Sequence, residues 1–337
     1  MTTLLNRIAL FIILIYSCSC GTTAEKQEAK SATVTQDTLT QSDTIKKVKN
    51  DTSQYAQAYD KALALWQIPF EEKDIKTSLG NAHVIVCGPV NAEALVLLHG
   101  MNASSTMWYP NIRALSEHYR VYTIDFLLEP GKSLCQGEVS NTDQLMNWYT
   151  EIFDQLQLKK FSIVGASRGG WLAVNIALHD RSRINKLVLL SPAQTFIWIR
   201  PKLGVISNIT YSIDPKRRKL RSVLETMTVN VDKLDQVFIN QYYIATKEAT
   251  MSKCILEMRP FSDKELRSLT MPVLVLIGDN DIINNNKSLE IAKKLIPHVT
   301  TEKIRNAGHF LSFDQPEIID KKILDFLSDR KTDLVKK

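Results

Sequence analysis

Residues Phe161 to Trp171 read FSIVGASRGGW, and their interpretation decides the fold. A short apolar run suited to a buried strand ends in Gly165, Ala166, Ser167, Arg168, Gly169 and Gly170. WLAVNIAL then resumes as an apolar helix. A hydroxyl and a charge at so tight a junction match a G-x-S-x-G strand–turn–helix, in which the serine sits on a strained turn and its Oγ is pushed above the sheet. The glycines are needed there because a side chain would collide with the neighbouring strand and helix. The helix that starts behind Ser167 also aims backbone N–H groups at any oxyanion formed beside it. G-x-S-x-G alone is a common accident; the strand before it and the buried helix after it make it informative.

Working outward, similar runs recur as HVIVCG, ALVLLHG, RVYTIDF, KLVLLSP and PVLVLIGD, with helix-like stretches between most of them. Strands this continuously apolar are buried on both faces, which predicts an α/β, mostly parallel, doubly wound sheet covered by helices. One interval breaks the rhythm. About eighty residues separate Ser191 from Met271, far more than an ordinary connection needs. Within it, VLETMTVNVDKLDQVFINQYYIAT and TMSKCILEM space their apolar residues as helices do, so residues 195–262 are expected to form an inserted helical cap. The core is then expected over residues 54–194 and 263–337.

Ligands of open parallel sheets bind beyond the carboxyl ends of the strands. Those ends hold His99, Asp125, Ser167 and the pair Asp279 and Asp281, with His309 following the expected last strand, TTEKIR. A serine hydroxyl needs a base, and there are six histidines. His309 is the expected base, because the order Ser, acid, His accompanies this turn. His99 precedes the serine and is better suited to anchoring a loop. The acid is Asp281 or Asp279; Asp281, third after the strand-ending Gly278, points across the rim and is preferred. Asp279 suits an Asx-type turn.

The segments LVLLHGMNASSTMWYP, DFLLEPGKS, VGASRGGW, PVLVLIGDNDII and NAGHFLSFDQPEII together resemble an α/β-hydrolase of the serine esterase, lipase and haloperoxidase-like type. The resemblance covers most of Ala94 to Leu327 apart from the expected cap. It implies a triad of Ser167, Asp281 and His309 and an oxyanion hole made by the backbone N–H groups of Met101 and Arg168. It also implies hydrolysis of a carboxylic ester of small or medium acyl size through an acyl-enzyme. C–C bond hydrolysis or acyl transfer on the same triad is the alternative. A surface-tethered binding protein that has lost turnover is the alternative of another class. The loop Asp125 to Ser133 departs from the DxxGxGxS pattern of the resemblance without touching a triad member. The Arg168 side chain either pairs with an acidic neighbour such as Glu129 or stays at the rim to favour anionic substrates.

The amino terminus reads differently. Arg7 precedes a short apolar run, residues 8–16, and then SCSC, which has the anatomy of an export signal over residues 1–20. Ile15 and Ser17 before Cys18 resemble a lipobox, so Cys18 is expected to be lipidated, with Cys20 the other candidate. An ordinary cleaved signal or a retained anchor are alternatives. Residues 21–53 are polar and are expected to be a disordered tether, and the lipidated cysteine is expected to anchor the protein to a bacterial cell-envelope membrane. Cys87, Cys135 and Cys254 are too scattered for a disulfide framework and are expected to be buried free thiols. The net charge is +6, there is no Cys/His metal spacing and no phosphate-binding glycine pattern. No metal, cofactor or nucleic acid is expected. The basic run KRRKLR, Lys216 to Arg221, fits a solvated helix face better than a lipid contact. The sequon at Asn102 lies in the expected oxyanion loop and reads as accidental.

Overall fold

The computed structural model describes residues 53–249 and 258–328. The signal segment, nearly all of the tether, Cys18, Cys20, Cys254 and most of TMSKCILEM lie outside the described residues. From Gln54 onward, the described residues make one compact unit.

Among the described residues, nine strands form one sheet: β1 Phe70–Thr77, β2 Gly80–Cys87, β3 Ala94–Leu98, β4 Arg120–Ile124, β5 Leu134–Cys135, β6 Phe161–Ala166, β7 Ile184–Leu190, β8 Val273–Gly278 and β9 Val299–Ile304. Their order is β1-β2-β4-β3-β6-β7-β8-β9, with β5 paired to β2. From β4 across to β9 every pairing is parallel, as expected. The edge differs, because β2 runs antiparallel to both β4 and β1. Strand β1, FEEKDIKT, has no apolar run to announce it. It is an edge strand with a largely exposed face, where charge protects against pairing with other chains.

The apolar strands alternate their side chains between two faces. Val84, Val86, Val96, Leu98 and Ile163 enter one buried cluster, while Ile85, Leu95, Leu97, Val164 and Val188 enter the other. Burying each such side chain contributes roughly 1.5–3 kcal/mol. The helix Arg168–His179 follows β6 and is buried along most of its length, which explains its continuous apolar character.

Between β7 and β8 lie the helices Leu203–Ile213, Arg217–Leu224 and Gln236–Glu248. Leu220, Val223, Leu224, Phe238 and Tyr242 join the same buried cluster as Leu95, Leu97 and Val164. The insertion therefore shares the core of the sheet. Most of the basic run is occupied: Lys216 pairs with Asp214, Arg217 bonds Asn240 and lies over the Tyr243 ring, and Arg221 pairs with Glu225 and Asp232. Of the cysteines, Cys87 is free and buried. Cys135 is free but exposed, because β5 is only a two-residue pairing at the sheet margin, and this corrects the expectation of a buried thiol.

Candidate active site

Ser167 stands between β6 and its helix with φ 53° and ψ −115°, a conformation that costs a non-glycine residue free energy. Surrounding hydrogen bonds hold it there. Its N–H donates to Leu190 O at 2.9 Å, and its carbonyl accepts from Gly170 N and Ala193 N, each at 3.0 Å. The close approach of strand and helix excludes side chains: a Cβ on Gly165 would lie 2.3 Å from Gly169 O, and one on Gly169 would lie 2.1 Å from Leu98 O.

The structure brings Ser167, His309 and Asp281 together. Ser167 Oγ lies 2.9 Å from His309 Nε2, and His309 Nδ1 lies 3.0 Å from Asp281 Oδ1. A carboxylate only accepts, so Nδ1 carries the proton of the neutral ring and Nε2 is left to accept from the hydroxyl. The chemistry open to this arrangement is removal of the serine proton as Oγ attacks an electrophilic carbon.

Asp281 is buried, and burial alone would raise its pKa. The attraction of the His309 ring when it is protonated, its hydrogen bond, the Ile283 N–H at 2.8 Å and the Asn284 amide at 3.1 Å outweigh that, holding the carboxyl below its ordinary range. Asp279 does not reach the imidazole. Its Oδ1 accepts from Ala307 N at 3.1 Å, and its own N–H donates to Ile304 O, so it ties the end of β8 to the loop that carries His309.

Supports that sequence reasoning missed hold the same loop from the other side. Asp314, fully buried, accepts Gly308 N at 2.7 Å through Oδ2. Through Oδ1 it accepts from the Thr228 hydroxyl and from Val229 N. Phe310 N donates to Met227 O at 2.9 Å. The inserted segment thus braces the histidine loop. No sequence pattern signalled Asp314, because the partners that tie it to the inserted segment, Thr228 and Val229, come from a distant stretch of chain.

His99 is absent from the Ser167 cluster and anchors the loop after β3. Its Nδ1–H donates to Gly100 O at 2.8 Å, and its Nε2 accepts Phe126 N–H at 2.8 Å, which requires a neutral ring. Burial lowers its pKa accordingly. Asp125 accepts Ser105 N through Oδ1 and Lys132 N through Oδ2, both at 2.8 Å. The Gln241 side chain of the insertion donates to Ser104 Oγ at 3.0 Å and accepts from Thr106 Oγ1 at 2.6 Å. Among the described residues, neither Met101 N nor Arg168 N has a hydrogen-bond partner. Gly100 brings the loop against the nucleophile, since a Cβ there would lie 3.3 Å from Ser167 Cβ.

The Arg168 guanidinium turns away from the rim and pairs with Glu129, each side chain 3% exposed, so it is not placed to select anionic substrates. Asn102 is buried, which does not suit a glycan. Among the described residues there is no cluster of His, Cys, Asp or Glu able to hold a metal ion, and no helix long and apolar enough to cross a membrane.

Comparison with known proteins agrees with this fold. The family model for the alpha/beta hydrolase fold matches residues 93–208 and 215–316. The uncharacterized carboxylesterase nap of Bacillus subtilis is 31% identical over 301 residues, covering 85% of this chain and 96% of that protein. Carboxylesterase YbfK of the same organism is 31% identical over 280 residues, covering 81% and 93%. The crystal structure of naproxen esterase (carboxylesterase NP) from Bacillus subtilis superimposes with a TM-score of 0.77 at 30% identity, covering 83% of this chain and 99% of that one. Because the family match runs from the start of β3 past the histidine loop and through most of the inserted helices, interrupted only over residues 209–214, this chain belongs to the α/β-hydrolase fold family.

Proposed function

We propose that the protein is a serine carboxylesterase anchored by a lipid to a bacterial cell-envelope membrane. The observation that carries the chemistry is the continuous chain from Ser167 Oγ through the His309 ring to Asp281, with both linking contacts at 3.0 Å or less. Similarity to carboxylesterases over most of the chain supports the substrate class.

In this reading His309 Nε2 takes the Ser167 proton as Oγ attacks the ester carbonyl, and Asp281 holds the imidazole in place and stabilises its cation. The charge that develops on the carbonyl oxygen is met by the N–H groups of Met101 and Arg168. His309 returns the proton to the departing alcohol, leaving an acyl group on Ser167. A water molecule, deprotonated by the same ring, then releases the acid. Residues 195–262 act as the cap, with the Phe310 and Tyr242 rings, 6.3 Å apart, as apolar wall on the histidine side.

A panel of p-nitrophenyl esters of two to twelve carbons, run beside a vinylogous diketone, tests this. Turnover of the shorter esters with none of the diketone is expected. Diketone cleavage exceeding ester hydrolysis would replace the esterase reading with C–C bond hydrolysis.

The membrane location is supported by Arg7, the apolar run at residues 8–16 and the Ile15-Tyr16-Ser17-Cys18 stretch. In a bacterial host, Cys18→Ser is expected to abolish incorporation of a clickable fatty acid and to release the protein or trap its precursor. Labelling that persists in Cys18→Ser but is lost in Cys20→Ser would move the modified residue to Cys20.

A further inference from the structure

Glu129 and Arg168 form an ion pair almost wholly removed from water. Such a pair typically adds little stability over apolar residues of the same shape, so stability alone does not account for it. Its connections are more informative. Glu129 Oε2 accepts the backbone N–H of Asn102 at 3.0 Å, and Asn102 holds φ 55° directly after Met101. Arg168 directly follows Ser167 and opens the helix behind it. A single pair of side chains therefore joins the two backbone segments whose N–H groups meet at the oxyanion site.

Glu129 is itself firmly based. Its N–H donates to Phe126 O at 3.1 Å, the Tyr55 hydroxyl donates to Pro130 O at 2.7 Å, and Asp125 binds Lys132 N in the same loop. On the other side, the segment to be positioned begins at Gly100, which has no side chain of its own to anchor it.

We propose that Glu129 is a positioning residue for the oxyanion hole: clamped by Arg168, its carboxylate holds the Asn102 N–H and so sets the direction in which the Met101 N–H points relative to Ser167. The departure of the Asp125 to Ser133 loop from the pattern of similar hydrolases then has a use, since it delivers this carboxylate. The inference rests on the esterase reading, in which Met101 N–H meets the carbonyl oxygen.

Two double variants separate positioning from structure. Arg168→Met with Glu129→Gln removes both charges but keeps a side-chain oxygen able to accept from Asn102 N–H. Arg168→Met with Glu129→Leu, or Glu129→Met should the leucine protein fail to fold, removes the acceptor as well. Neither leaves a buried charge unpaired. Ser167 is titrated with a fluorophosphonate so that rates refer to active sites.

The protein without the acceptor is expected to show a kcat about 10- to 100-fold below that of the glutamine protein, with KM changed less than about threefold. Affinity for a trifluoromethyl ketone, whose adduct places an oxyanion in the same hole, is expected to fall by a similar factor. Equal kcat per titrated site, or a loss confined to KM or to thermal stability, would overturn the positioning role. Failure of Ser167 in the unsubstituted protein to take up the fluorophosphonate would overturn the esterase reading, and this inference with it.

Discussion

Ester turnover by the Ser167→Ala protein is expected to fall by about ten thousandfold to a millionfold, while its thermal midpoint stays within a few degrees of the parent. The loss is large because the nucleophile forms the covalent intermediate, and water in its place recovers only what binding and the oxyanion donors supply. The fold is expected to survive because the elbow is held by backbone groups. The bonds from Ser167 N to Leu190 O, and from Gly170 N and Ala193 N to Ser167 O, do not involve the hydroxyl. Alanine also keeps the Cβ at φ 53°, so the backbone cost is unchanged. Rates should be followed with a short-chain p-nitrophenyl ester on protein purified from a host lacking its own esterases. Turnover within tenfold of the parent would show that Ser167 is not the nucleophile.

The second large effect is expected from Asp281→Asn, about a thousandfold to ten thousandfold in kcat. An asparagine amide donates where the carboxylate could only accept. It can face Nδ1 with its N–H2 and stabilise the ring tautomer that carries its proton on Nε2, where it cannot take the proton of Ser167. The alternative amide orientation offers Oδ1 to His309 and Ile283 but turns its N–H2 toward the Asn284 amide that now donates to Asp281 Oδ2. Asp279→Asn serves as the comparison. Its replacement can still accept from Ala307 N through Oδ1, so less than about a tenfold loss is expected. Measuring kcat for both variants with one ester decides the matter, and a larger loss in Asp279→Asn would reverse the assignment of the acid.

The residues at the site differ in how visible they are in the sequence. Ser167 is visible because its neighbours in the chain carry the whole signal: a β-rich run, small residues where strand and helix touch, then an apolar helix. His309 and the Asp279/Asp281 pair are visible as polar residues closing strands or following them. Of the two aspartates, position after Gly278 already favoured Asp281, and the turn gives the reason, since Asp279 faces Ala307 and Asp281 faces the ring. Gln241 and Asp314 carried no signal. They meet partners 135 and 86 residues away, Thr106 and Thr228, and nothing in their own surroundings marks them. Strand β1 was invisible for a related reason: one face of it meets water, so the apolar pattern that identifies central strands is absent.

By itself, then, the sequence determined the parallel α/β plan, the nucleophile's turn and the chain order of the reacting groups, because each depends on side-chain size and polarity over ten residues or so. Tertiary structure alone decided the antiparallel edge, that Arg168 takes Glu129 and leaves the rim, and the bracing of both loops by the inserted segment. Those outcomes depend on which strands lie side by side once the sheet closes, and an ion pair or buried hydrogen bond across such a distance forms only when packing has already brought its two halves together and removed them from water.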